Sequence, residues 1–258
     1  MSKKESLKIG VQFQTHIVAP HRYATVTEEA LELGVDSVFL WDHLVPFNGK
    51  EGDVAWETWS LLGSLAHLFR HRTESLGVLV TPLSIREPAV IARSAATIAQ
   101  LANGSFILGV GAGGFVLDDD LTDSPQDTSS RMKLFVQRLQ ALRQEVTRLN
   151  ELLGIHVSLW VGGGGERVTI PSALQWADGW SGFGPPTDFE RKAQFFSGRD
   201  VELSVLLTPM SISNDLDQYF AAGARHVIRS LRPNSQQSFD LAPISQLLSE
   251  RDQFVGSL

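Results

Sequence analysis

The sequence predicts an α/β fold of the (β/α)₈ TIM-barrel class, built as one domain over residues 1–258. Three observations carry this expectation. Short apolar, β-branched runs alternate with amphipathic stretches eight times, and no break in composition separates the units. The length of 258 residues is that of one such barrel. An open, doubly wound sheet is the competing arrangement of the same units.

Leu7 to Phe13 reads as a buried strand with Ile9, Val11 and Phe13 on one face. Thr27-Glu28-Glu29 opens a helix that Gly34 stops. Ser37 to Trp41 is a short apolar strand ending in Asp42-His43, and a helix follows from Trp56 to Phe69. Leu76 to Val80 is the third strand. Pro88 starts the next helix, where its missing N–H is harmless, and alanines at 92, 95, 96 and 99 let that helix lie close to a sheet. Phe106 to Val110 is the fourth strand. Between Arg131 and Leu153 the residues Phe135, Leu139, Leu142, Val146, Leu149 and Leu153 form one apolar stripe, capped by Gly154. Val157 to Val161 is the fifth strand, followed by four glycines and a helix over Ser172 to Ala177, with Pro171 leaving the helix start open. Gly179 to Phe183, Val201 to Leu207 and His226 to Leu231 complete the strands. Helices over Asp188 to Phe196, Asn214 to Ala222 and Pro243 to Arg251 alternate with them.

Composition excludes several functions. A net charge of −7 argues against nucleic acid as a partner, since phosphate binding needs a basic patch. The absence of cysteine removes disulfides, thiolate metal sites and a cysteine nucleophile. The first residues lack the apolar core of a signal peptide, and no apolar run is long enough to span a bilayer. The expectation is a soluble, cytoplasmic protein that acts on a small molecule.

In a barrel of this class the reactive groups sit where strands run into helices. That rule selects Gln14-Thr15-His16, Trp41-Asp42-His43, Val80-Thr81, Gly111 to Phe115, Gly162 to Gly165 and Gly182 to Pro186. A histidine at a strand end titrates near neutral pH and suits proton transfer when a neighbouring carboxylate fixes its tautomer. Asp42 is the neighbour in sequence. Glycines 162 to 165 let backbone N–H groups converge on an anion without Cβ obstruction, with Arg167 nearby to add charge.

Several blocks together resemble the luciferase-like superfamily, whose members bind FMN or the deazaflavin coenzyme F420. They are Gly34-Val35-Asp36-Ser37-Val38-Phe39-Leu40-Trp41-Asp42-His43, Trp56-Glu57-Thr58-Trp59, Leu76 to Thr81 with Arg86-Glu87-Pro88-Ala89, Leu101 to Gly113, and Gly162-Gly163-Gly164-Gly165 with Ala177-Asp178-Gly179-Trp180. The Trp-Asp-His ending looks more like the deazaflavin branch. The resemblance implies hydride transfer, with Asp42 and His43 facing the reactive ring and His43 as acid or base. It implies a non-proline cis peptide at Leu79-Val80, cofactor contacts from Asp42, Leu79, Val80, Thr81, Gly111, Ala112, Gly113 and Gly162 to Gly165, and a homodimer. Thr15, Trp41, Trp56, Phe115 and Phe183 would wall the substrate, with Phe47 adding apolar surface.

Two rivals stay open: a monooxygenase using reduced FMN and oxygen, and a degenerate paralogue without turnover. The second draws on short insertions after Gly114 and before Val157, where lids usually lie. Family members often carry a larger or acidic residue where Gly114 stands, which puts an acid role there in doubt. Gly109 to Gly114 satisfies G-x-G-x-x-G, but the three aspartates that follow would repel a pyrophosphate. Asp118-Asp119-Asp120 reads as a charged loop. His67 and His71 lack the glutamate of a zinc-protease helix, so no metal site is expected.

Overall fold

The computed structural model describes residues 7–46, 54–122, 124–211 and 214–257, so Phe47 lies outside the described residues. The strands are β1 (Lys8–Phe13), β2 (Ser37–Leu40), β3 (Ser75–Pro82), β4 (Ser105–Gly111), β5 (His156–Gly162), β6 (Gly179–Gly182), β7 (Glu202–Leu207) and β8 (His226–Leu231). Each pairs in parallel with the next, and β8 returns to β1 from Lys8↔His226 to Phe13↔Leu231, closing the barrel. The open sheet is therefore excluded.

The pleat sends strand residues alternately into two apolar layers. Ile9, Val11 and Phe13 of β1 pack outward under the helices in the larger core. Phe39, Leu79, Trp160 and Ile228 point inward and fill the barrel itself. Two glycines make room for the largest of these. A Cβ at Gly77 would lie 2.5 Å from the Phe39 ring, and one at Gly179 would lie 2.5 Å from Trp160. The barrel is packed up to this level, so any ligand must sit above it, at the carboxyl ends of the strands.

The helices are α1 (Arg22–Leu33), α2 (Thr58–Leu68), α3 (Pro88–Leu101), α4 (Val116–Asp120), α5 (Thr128–Leu153), α6 (Thr169–Trp176), α7 (Pro186–Ala193), α8 (Leu216–Ala221) and α9 (Ala242–Ser257). Several begin elsewhere than expected. α1 starts at Arg22, not Thr27, because buried Tyr23 and Val26 extend the stripe of Ala30 and Leu31. α2 starts at Thr58, where the Glu57 carboxylate accepts from the Ser60 amide at 2.7 Å. α5 starts at Thr128 under Asp127, which accepts from Ser130. α6 begins at Thr169, so Pro171 falls in its first turn, where no intrahelical donor is needed. α4, unforeseen, turns the aspartate run into a helix. Among the described residues no helix is long and apolar enough to cross a membrane.

A buried polar group closes the opposite end of the barrel. His226 is 1% exposed, with Nε2 2.7 Å from Ser37 Oγ and Nδ1 3.6 Å from Glu202 Oε1, which also pairs with Lys8 at 3.0 Å. Burial holds the His226 imidazole below its ordinary value of 6.5. Burial pushes Glu202 up, but the neighbouring His226 imidazole and the Lys8 charge outweigh it and bring the carboxyl down to about 2. Both folded-state values are depressed, so both contributions are present at neutral pH. The His226 contribution is lost as pH falls below 6.5, and that of Glu202 as pH falls from 4.5 towards about 2. Thermal melts should therefore drop steadily on acidification from pH 7, and His226→Gln should flatten the upper part of that slope.

Candidate active site

A cavity of about 680 Å³ opens at the carboxyl ends of the strands, within the range of sites that hold cofactors and drug-sized ligands. All eight strands or the segments following them line it: Gln12 in β1 and Gln14 just after it, Trp41 and His43 after β2, Leu79, Val80, Pro82 and Ser84 from β3 and its following turn, and Gly111 to Phe115 from β4. Gly162 and Gly163 follow from β5, Ser181 to Phe183 from β6, Leu206 and Thr208 to Met210 from β7, and Ser230 and Arg232 from β8. The peptide between Leu79 and Val80 is cis, and pairing with β4 shifts register between Val78 and Thr81.

The base of the cavity is polar and ordered. Gln12 donates to the Leu79 carbonyl, and its own carbonyl accepts from Ser230 Oγ at 2.6 Å. Gln14 is 4% exposed and its Oε1 has no partner among the described residues. Such an acceptor, buried against a cavity, matches an N–H donor on a bound ring.

His43 stands on the wall between Trp41 and Phe115, with ring centroids 4.6 and 5.3 Å away. Its Nδ1 lies 2.7 Å from Asp118 Oδ2, and Asp118 Oδ1 accepts from the Leu44 and Val45 amides at 2.9 and 3.1 Å. The carboxylate that orients His43 is therefore Asp118, not Asp42. α4 places it there from 75 residues further along the chain. Sequence offers little warning of this pairing: an Asp-rich turn after a glycine loop is ordinarily solvated.

Asp42 is fully buried behind the cavity wall. Arg86 grips it in a fork, Nε at 2.6 Å from Oδ2 and Nη2 at 2.7 Å from Oδ1, while Trp59 Nε1 donates at 3.1 Å and Thr81 also donates. Arg86 Nη2 also reaches Glu57 Oε1 at 2.9 Å. This cluster ties β2, α2 and the turn after β3 together, and it turns Asp42 and Thr81 away from the ligand space in which they were expected.

Other expected positions divide in the same way. Leu79, Val80, Gly111, Ala112, Gly113, Gly162, Gly163, Trp41, Phe115 and Phe183 line the cavity. Thr15 does not: the pleat brings Gln12 and Gln14 inward, and the Thr15 hydroxyl meets Thr58 at 3.3 Å. Trp56 is drawn aside by its bond from Nε1 to the Val18 carbonyl at 2.6 Å. Gly164 and Gly165 lie beyond the wall, and the Gly163 N–H is taken by the Ser181 carbonyl at 3.1 Å. Arg167 is exposed. The cation beside the glycine turn is Lys192, whose Nζ would stand 2.6 Å from a Cβ at Gly164 and pairs with Asp188 at 2.6 Å. Among the described residues, no three acidic or imidazole groups converge as a metal site would need.

A closed parallel barrel with a His43–Asp118 pair and a large cavity at its carboxyl rim places the chain among the (β/α)₈ barrels that carry their sites at the ends of the strands. Residues 7–246 match the luciferase-like monooxygenase family, and the chain belongs to it. It is similar to an F420-dependent glucose-6-phosphate dehydrogenase of Amycolatopsis mediterranei, 31% identical over 147 residues, 57% of this chain. That match spans 41% of the relative's length, and a second dehydrogenase of the same name, from Kineococcus radiotolerans, is matched over 53% of its own. Among solved structures, an F420-dependent secondary alcohol dehydrogenase in complex with an F420-acetone adduct superposes with a TM-score of 0.70 at 15% identity, over 90% of this chain and 95% of the other. The fold is shared.

Proposed function

We propose that this protein is a coenzyme F420-dependent oxidoreductase with His43 as its acid/base. The observation that carries this reading is the His43–Asp118 pair on the wall of a cavity shared by all eight strands. The residues present fit a flat, polar-edged cofactor. Leu79, Val80 and Leu206 supply an apolar bed, the unpartnered Gln14 Oε1 an acceptor for a ring N–H, and Gly111 to Gly113 backbone with no large side chain in the way. Arg232 on the cavity lining and Lys192 beside the glycine turn are cations available to an anionic tail. Bound there, the deazaflavin supplies hydride exchange with a substrate carbon.

The chain itself handles the proton. Asp118 fixes His43 Nδ1 as a donor, which leaves Nε2 to accept a proton from a substrate hydroxyl or return it to a carbonyl. Trp41 and Phe115, packed against the His43 ring, shield that exchange from water.

Titration of the purified protein with F420 and with FMN tests the reading. Binding of F420 at micromolar concentration or tighter, with FMN weaker, is the expected result. Tight FMN binding with oxygen consumption would establish the monooxygenase instead, and failure of both to bind would leave a degenerate paralogue. A homodimer in the cytoplasm completes the proposal: Leu152 and Leu153 at the end of α5 stand 67% and 42% exposed beside the end of α3, where Leu101 is 37% exposed, an apolar surface that a second copy would cover. Light scattering on the eluting protein reads that mass directly.

A further inference from the structure

On α4, Asp118 is engaged by His43 and two amides, but the next residue has no such task. Asp119 is 2% exposed, lines the cavity, and carries an Oδ1 atom with no hydrogen-bond partner among the described residues. Ser84, 7% exposed, lines the same cavity, and its hydroxyl is equally unmatched. The two side chains are near enough for Ser84 to act on the Asp119 carboxyl, yet they make no hydrogen bond of good geometry. Arg131 acts on Asp119 from a distance, while its guanidinium donates to the Gln126 carbonyl and the Thr128 hydroxyl. Burial pushes the carboxyl above its ordinary value, against the pull of Arg131. A buried carboxyl and a buried hydroxyl left unmatched side by side are costly unless something arrives to pair with them.

We propose that Asp119, with Ser84, is the specificity-determining group of the cavity, binding a second hydroxyl of an uncharged, mainly apolar substrate beside the carbon that reacts. This deepens the oxidoreductase reading and rests on it. Asp118 and Asp119 are neighbours on one helical turn and divide the work: one carboxylate serves the histidine that handles the reacting oxygen, and the next addresses the adjacent oxygen. Trp41, Phe115 and Met132 add apolar surface to the same cavity. A carboxylate at this point repels a phosphate or carboxylate on the substrate, so the chain selects against the phosphorylated sugar named for its relatives.

The test uses the cofactor-loaded protein carrying His43→Ala, so that nothing turns over, and reads binding by calorimetry. Cyclohexane-1,2-diol should bind at least roughly tenfold tighter than cyclohexanol and tighter than glucose 6-phosphate. Asp119→Ala should remove the preference for the diol, Ser84→Ala should reduce it, and Asp119→Asn should let glucose 6-phosphate bind more tightly. A diol preference unchanged in Asp119→Ala, or glucose 6-phosphate binding as tightly as the diol, would overturn the assignment. Failure of the cofactor to load would instead overturn the oxidoreductase reading on which it rests.

Discussion

His43→Ala is expected to lower turnover by ~10²-fold or more while cofactor affinity stays nearly intact, as loss of a general acid/base does. The informative companion is Asp118→Asn. Asparagine keeps an oxygen for the Leu44 and Val45 amides, so the loop after β2 holds its place. Its NH₂ group, however, would face His43 Nδ1 and force that nitrogen to accept, moving the imidazole proton to Nε2. The nitrogen on the far side of the ring then cannot take a proton from substrate. kcat should fall by about tenfold or more with KM little changed. If Asp118 served only to hold the loop, the asparagine variant would work as well as the parent, and steady-state kinetics would show it.

Asp42→Asn should act on stability. The Asp42–Arg86 fork is fully buried on the carboxylate side, and removing one member of a buried pair strands the other. A cost of about 3 kcal/mol follows, which for a chain of this size lowers Tm by roughly 6–12 °C. Glu57→Gln, at the half-exposed end of the same network, should shift Tm by no more than about 2 °C. Calorimetric melts of the two variants separate a structural Asp42 from one acting in catalysis, which would leave Tm unchanged and lower turnover.

The position of Asp42 shows how far sequence reasoning reaches. Trp41-Asp42-His43 at the end of an apolar run placed all three at the reactive rim, and the rim is where they stand. Which of them faces the cavity depended on partners remote in sequence. Arg86, 44 residues on, pulls the Asp42 carboxylate away, and Asp118, 75 residues on, takes its place beside the histidine. The glycine turn after β5 behaved likewise: its existence was legible, but the cation beside it comes from α7, and one of its amides is claimed by β6.

By itself, then, the sequence determined the barrel, the order of its strands, the rim that carries the chemistry, and the segments that reach it. Those features follow from period-two and period-3.6 apolar patterns and from glycine and proline at turns, all of which act over a few residues. Only the tertiary structure decided that Asp118 rather than Asp42 orients His43, that Gln14 rather than Thr15 faces the ligand space, and that Asp119 lies buried without a partner. Hydrogen bonds between side chains dozens of residues apart form only after the barrel closes, and no local pattern encodes which of two adjacent carboxylates will find one first.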